Sequence, residues 1–308
     1  MTIFKHLSCA AALALAGGAV SAETVLIHGE AGPNRGARAD ALQWFADQVA
    51  ERSDGDMRFD IQWGGALFKA NAAVQSIADG VADTGSVIAV YYPQEMAGYG
   101  IADLPVNNPD AWVGMRATDE LMRSSQAIQD DLADKNLVYI GTWTTSQVNI
   151  GCKGGAIKSV ADISGKKVRG VGAYGKVFGE QGANMVNMSI YDAYQGLDTG
   201  LIDCSQGYSY AVAALKQAEV MDSYTILDWG QVGGLGIFMN KDMHDSLTPE
   251  QQETLASVGS DMADEFGRLI TDANEKAIAS MKEQGVEVIT LPEEDRAQLV
   301  EAGKKFLD

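Results

Sequence analysis

The run Lys166-Lys167-Val168-Arg169 reads as a short strand ending in a guanidinium, and the six residues after it, Gly170-Val171-Gly172-Ala173-Tyr174-Gly175, have the spacing G-x-G-x-x-G. Two chemistries are open to this pairing. A planar, permanently charged fork can hold a carboxylate through two parallel hydrogen bonds. A glycine-rich turn from strand to helix can admit a phosphate or another anion to a helix N-terminus, as in dinucleotide sites. The dinucleotide form fits poorly, because the turn lies mid-chain and the next strand, over 185–188, ends without an acid for a ribose; Asp192 comes later. The plain alternatives are a flexible turn at a strand end and a surface arginine paired with a nearby acid. Aromatic residues could wall a small-molecule crevice: Trp63, Phe68, Tyr91, Tyr92, Trp143, Tyr174, Tyr208, Tyr210 and Trp229 all fall at strand ends or in loops, although each could equally be core.

Signatures of other chemistries are missing. The sequence has no G-x-S-x-G elbow, no P-loop, no H-E-x-x-H and no paired C-x-x-C. After the first 22 residues its histidines are His28 and His244, far apart, so neither a metal site nor a bound cofactor is expected.

The elements that must position these residues follow from periodicity. Residues 24–28, 57–63 and 84–90 read as strands separated by helices over 37–52 and 71–79, a β-α-β-α-β series that argues for a mostly parallel sheet covered by helices. Residues 111–135 read as one helix and 137–150 as one long β-rich stretch. A second series follows: strands at 167–170, 185–188 and 201–205, with helices at 176–181 and 189–200. Strands are expected again at 225–227 and 235–239. Thr248-Pro249-Glu250 carries an N-cap with proline in the first turn of a long helical region, and a strand over 286–290 and a terminal helix end the chain. The expected organisation is two α/β lobes joined by crossing strands: residues 23–140 with a later strand from about 231–245, residues 141–230, and bracing helices over 246–308.

The chain has 308 residues, 46% hydrophobic and 21% charged, enough for two sizeable cores. A formal charge of −19 makes nucleic acid an improbable partner and requires any anion site to supply its own cationic clamp. Lys5 and His6 precede an apolar run over 7–20, and Val20-Ser21-Ala22 ends it with small residues at the positions a signal peptidase reads. Export with cleavage after Ala22 is expected; the run is too short to span a bilayer comfortably. Cys152 and Cys204 then remain, and spacing leaves a bridge and two free thiols equally open.

Several segments together resemble the DctP-type substrate-binding proteins of tripartite ATP-independent periplasmic (TRAP) transporters. They are Asp162-Ile163-Ser164-Gly165-Lys166-Lys167-Val168-Arg169, Gly182-Ala183-Asn184-Met185-Val186-Asn187-Met188, and Asp192-Ala193-Tyr194-Gln195-Gly196-Leu197-Asp198-Thr199-Gly200-Leu201-Ile202-Asp203. Gly80-Val81-Ala82-Asp83-Thr84-Gly85, Asp103-Leu104-Pro105 and Ser246-Leu247-Thr248-Pro249-Glu250 extend the likeness over nearly the whole exported chain. The resemblance implies a two-lobed periplasmic binding protein fold, each lobe a mixed sheet flanked by helices, with long C-terminal helices bracing both. It implies a monomeric, non-enzymatic periplasmic protein that captures a small organic acid and passes it to membrane permease subunits. Arg169 matches the arginine that clamps the ligand carboxylate. Trp143, Phe68, Tyr92 and Trp229 are then expected as walls, with Tyr210 also at the site and Gln206 and Asn187 as hydrogen-bond partners. Glu30, after the first strand, would face a cationic group if the ligand were a zwitterion. The run after Asp203 is Cys204-Ser205-Gln206-Gly207 instead of the frequent Gln-Glu-Asn, and 141–146 holds Trp143 and Thr144 with no arginine, which points away from sialic acid. The rival readings are an exported oxidoreductase using the glycine turn, and a ligand-sensing partner of a receptor.

Overall fold

A computed structural model describes residues 23–108 and 110–307. The signal segment read over 1–22 lies outside the described residues. The first series is β1 (Thr24–Gly29), α1 (Ala37–Arg52), β2 (Met57–Gln62), α2 (Ala73–Ala78) and β3 (Thr84–Ile88). It is followed by α3 (Ala111–Ser124), α4 (Gln126–Asp134), β4 (Leu137–Trp143) and β5 (Val148–Cys152). The second series is β6 (Lys167–Arg169), α5 (Gly172–Glu180), β7 (Asn184–Val186), α6 (Ala193–Asp198), β8 (Cys204–Gly207), α7 (Ser209–Ala214) and β9 (Ser223–Trp229). The chain ends in β10 (Leu235–Asn240), α8 (Lys241–Ser246), α9 (Pro249–Glu283), β11 (Glu287–Thr290) and α10 (Glu293–Gly303).

Among the described residues the strands form two mixed sheets, in the orders β2-β1-β3-β10-β4 and β11-β9-β5-β8-β6-β7. β1 pairs in parallel with β2 and β3, and β6 with β7 and β8, as short β-α-β connections require. β10 enters the first sheet antiparallel between β3 and β4, and β5 enters the second antiparallel between β8 and β9.

Two expectations change. The stretch 137–150 is not one strand: β4 belongs to the first sheet and β5 to the second, and residues 144–147 cross between them. The threonines explain the break, because they satisfy the crossing backbone without a ladder. Thr145 N–H donates to the Val232 carbonyl (3.0 Å), Val232 N–H donates to Thr145 Oγ1 (2.9 Å), and Thr144 Oγ1 donates to the same carbonyl (2.9 Å). The expected single helix over 111–135 divides at an extended Ser125, where the Gln129 side chain donates to the freed Arg123 carbonyl (2.6 Å).

The 35-residue α9 begins as its sequence predicts, with Thr248 and Gln251 forming a capping box and Pro249 in the first turn. Its buried stripe, Leu255, Val258, Met262, Phe266 and Ile270, has helical spacing. Gly259 lets it lie directly on β4, since a Cβ there would meet the Ile140 carbonyl. Asn274 of the same helix accepts the Tyr210 N–H of α7 (3.0 Å), so α9 reaches the elements of both sheets.

Asp103 is buried beside residues 230–234, which cross back from β9 to β10, with one carboxylate oxygen accepting Gly234 N–H (2.8 Å) and the other lacking a partner. Burial raises its pKa from 3.8 to about 7, against the opposing pull of the Gly234 and Gly233 N–H groups. The unfolded chain releases this proton near the ordinary value, whereas the folded one keeps it until about pH 7. Between those limits the folded state binds more protons, so stability falls as pH rises and levels off above the folded value. We expect the wild-type protein to lose about 2 kcal/mol between about pH 5.5 and about pH 8 that Asp103→Asn does not lose. Denaturant melts at the two pH values check this; identical losses in both proteins would contradict it.

Candidate functional site

The C-terminal ends of β1, β3, β6 and β8 all run out toward the gap between the sheets, where open α/β sheets place their ligand crevices. A cavity there encloses about 580 Å³ not filled by atoms, mouth included. The first sheet's side contributes Arg35, Arg38, Ile88, Val90 and Tyr91; the second contributes Arg169, Val171, Ile190, Tyr191, Tyr208 and Tyr210.

Arg169 ends β6 and is 1% exposed. Its Nε donates to the Met188 carbonyl (3.1 Å), one terminal nitrogen to the Gln206 carbonyl (3.0 Å) and the other to Tyr91 Oη (3.0 Å). All three acceptors are neutral, and among the described residues no carboxylate pairs with it. Each terminal nitrogen keeps one further N–H, the geometry of a fork that accepts a carboxylate. A buried charge without a counter-ion is costly, and an anion in this cavity would relieve that cost.

Tyr91 is the contact that ties the two sides. It follows β3, yet its hydroxyl accepts from both Arg169 and Ile190 N–H (3.0 Å) of the second series. Arg35 makes a second tie at the mouth, donating to the Ala214 carbonyl at the end of α7.

Arg38, in the first turn of α1, supplies another guanidinium, with its side chain 12% exposed. It lies 2.9 Å from the Glu30 carboxylate as a charge contact, while its other terminal nitrogen donates to the Pro33 carbonyl (2.8 Å). Burial is the largest single influence and works against its charge, but the Glu30 carboxylate, with Tyr191 and Tyr210 adding to it, holds its pKa above the ordinary arginine value. Glu30 also accepts from Gly32 N–H (2.6 Å) and from Ser86 Oγ. Behind them His28 meets Thr84 Oγ1 (2.9 Å) and Ser86 Oγ (3.2 Å); burial, with Arg38 adding to it, lowers its pKa to about 3, so it stays neutral. Burial likewise lifts the Tyr191, Tyr208 and Tyr210 hydroxyls above the ordinary phenol range, so none becomes an anion facing the arginines.

Of the residues expected from sequence, Arg169 and Tyr210 line the cavity, as do Tyr91 and Tyr208 from the wider set of strand-end aromatics. Gln206 sits behind it: its side-chain oxygen accepts Val171 N–H (2.9 Å) and so fixes the turn that follows Arg169. Glu30 is 1% exposed and engaged by Arg38, Ser86 and Gly32. The four expected walls lie elsewhere. Phe68 fills the space over Gly29 and Gly85, where two adjacent strands carry no side chain. Tyr92 turns away from its neighbour Tyr91 and donates to the Ala70 carbonyl (2.7 Å). Trp229 packs edge-on to Tyr174 and Phe178, with ring centroids 4.8 and 6.2 Å away. Trp143, opposite Leu235 in the β4–β10 pairing, is 1% exposed in the main core. Asn187 is exposed and faces a separate depression beside Gly170 and Pro93. The glycine turn serves close packing, since a Cβ on Gly175 would strike the Gly170 backbone and one on Gly172 would strike Val90.

Arg38, Arg35 and Tyr191 were not foreseen. A signal for Arg38 existed: a cation in the first turn of a helix opposes the helix dipole and needs a local reason, here Glu30. Among the described residues no cluster of histidine, cysteine, aspartate or glutamate could hold a metal, and no helix is long and apolar enough to cross a membrane.

The sequence profile of bacterial extracellular solute-binding protein family 7 (DctP) matches residues 28–308. The 2,3-diketo-L-gulonate-binding periplasmic protein YiaO of Escherichia coli is 26% identical over 256 residues, 81% of this chain and 76% of that protein. A TRAP periplasmic solute-binding protein of Sulfitobacter sp. NAS-14.1, solved with bound β-D-galacturonate, superimposes with a TM-score of 0.80 at 20% identity, covering 92% of this chain and 95% of that one. A marine metagenome TRAP solute-binding protein specific for aromatic acid ligands, solved with 3-hydroxybenzoate, gives a TM-score of 0.82 at 23% identity, covering 92% and 90%.

Proposed function

The chain belongs to family 7 of the bacterial extracellular solute-binding proteins, and from that membership we propose that it captures a small carboxylic acid outside the cytoplasmic membrane and hands it to TRAP permease subunits. The observation that carries this reading is Arg169: a buried guanidinium with neutral partners, two N–H groups to spare, and a place on the wall of a cavity between two sheets. The acids named for its relatives support the same class of ligand. The protein acts as a monomer and a carrier, not an enzyme; it is exported to the periplasm and loses residues 1–22 by cleavage after Ala22. Residues 23–143 with β10 form one lobe and 148–229 with β11 the other, joined by the crossing segments 144–147 and 230–234, and they close over the ligand with α9 bracing both.

A thermal-shift screen tests this. Small carboxylic acids should raise the melting temperature, while the primary amides of the same acids should not, because a ligand confined to the folded state stabilises it. If amides and acids act alike, Arg169 is not the anchor. The Tyr91 tie gives a second expectation. Tyr91→Phe removes the acceptor shared by Arg169 and Ile190, so affinity should fall about tenfold, mainly through faster dissociation. Stopped-flow release of a bound acid measures it, and an unchanged off-rate would contradict the tie.

A further inference from the structure

The cavity's charge count and lining point to a narrower ligand class, and we infer that the protein selects monocarboxylates with an apolar body, branched aliphatic or aromatic, over dicarboxylates and polyhydroxy acids. This rests on the acid-capture reading of the same cavity.

Three arginines line the space, but they do not present three charges to a ligand. Arg38 is neutralised by Glu30 at 2.9 Å, with that carboxylate fully buried. Arg35 stands exposed at the mouth and is turned onto the Ala214 carbonyl. Arg169 alone is both buried and free of a carboxylate among the described residues. One anionic group satisfies it. A second carboxylate would be drawn out of water to meet an arginine already paired, and the Glu30 charge would repel it.

The walls make the other half of the argument. Ten of the 18 lining residues are apolar, among them Ile88, Val90, Val171, Ile190, Val232 and Leu235. Tyr91 Oη already accepts from Arg169 and Ile190, and Thr145 Oγ1 from Val232 N–H, which leaves the Tyr191, Tyr208 and Tyr210 hydroxyls as the main side-chain partners for a polar ligand. A sugar acid would strip water from more hydroxyls than these three can meet, whereas an apolar body loses nothing by that exchange. Glu30 is fully engaged, so a cationic group on the ligand has no counter-charge there, which sets aside the zwitterion expected from sequence.

Titration calorimetry on the full exported chain decides the matter, with phenylacetate, benzoate, 4-methylpentanoate and 4-methyl-2-oxopentanoate against succinate and galacturonate. The best monocarboxylate should bind at least about a hundredfold tighter than either contrast acid. Succinate or galacturonate binding tighter than all four would overturn the selectivity and leave acid capture standing. Binding by none of the six, and by no other acid of these three classes, would overturn both. Glu30→Gln tests the charge count directly, because its amide oxygen can still accept from Gly32 while Arg38 loses its counter-ion. Relative to the best monocarboxylate, succinate should gain about tenfold or more in this variant. A ratio equal to that of the wild type would contradict the assignment of Arg38 as a neutralised cation; a melt without ligand confirms that the variant folds, and the wild-type panel stands if it does not.

Discussion

Arg169→Ala is expected to abolish useful acid binding while leaving the ligand-free protein folded. The two halves of that expectation have one cause. Three hydrogen bonds to neutral acceptors hold the guanidinium, and no carboxylate among the described residues offsets its buried charge. In the free protein the charge costs stability, so its removal should leave the melting point unchanged or raise it slightly. In the complex the ligand carboxylate would lose its only buried counter-ion. Truncating one member of a buried, hydrogen-bonded charge pair costs about 2–5 kcal/mol, which is about thirtyfold to several thousandfold in affinity. Arg169→Lys keeps a charge without the planar fork and should fall between the two. Calorimetry and melting scans on the same samples separate the outcomes. A variant that loses stability and affinity together would make Arg169 a structural residue.

Removing the Cys152–Cys204 bridge should cost stability and spare binding. The cysteines sit opposite each other in the antiparallel β5–β8 pair and are disulfide-bonded across a separation of 52 residues. Closing a loop of that length restricts the unfolded chain by about 4 kcal/mol in the chain-entropy account. The double variant Cys152→Ala, Cys204→Ala should therefore melt about 10 °C lower. Its affinity should change little, because Arg169 pairs with Ser205 through β6 and β8, whose ladder does not need the bridge. Equal melting points with and without the bridge would contradict this, as would a large loss of affinity in a folded variant.

The parallel series, the N-cap at Thr248 and the placing of Arg169 at a strand end could all be read from the chain, because each follows from local pattern: periodicity, capping chemistry, a strand that stops at glycine. What could not be read were the facts that depend on which surfaces meet. Phe68 and Trp229 look like pocket walls because they are aromatic and near strand ends. Their true positions are set by absent side chains at Gly29 and Gly85 and by the Tyr174 and Phe178 rings, all distant in sequence. Tyr91 and Tyr92 are adjacent and chemically identical, yet one faces the cavity and the other donates to Ala70. The geometry of one short turn decides between them. Glu30 stood out as a possible ligand contact, whereas its partner Arg38 was passed over, since only the folded helix brings them together.

A crystal structure of the complex with whichever acid most raises the melting temperature bears on the central claim most directly. The ligand carboxylate should lie against both terminal nitrogens of Arg169, with the Tyr91 hydroxyl still bridging to the second series. A carboxylate bound to other groups, with Arg169 left on its three protein acceptors alone, would contradict the account.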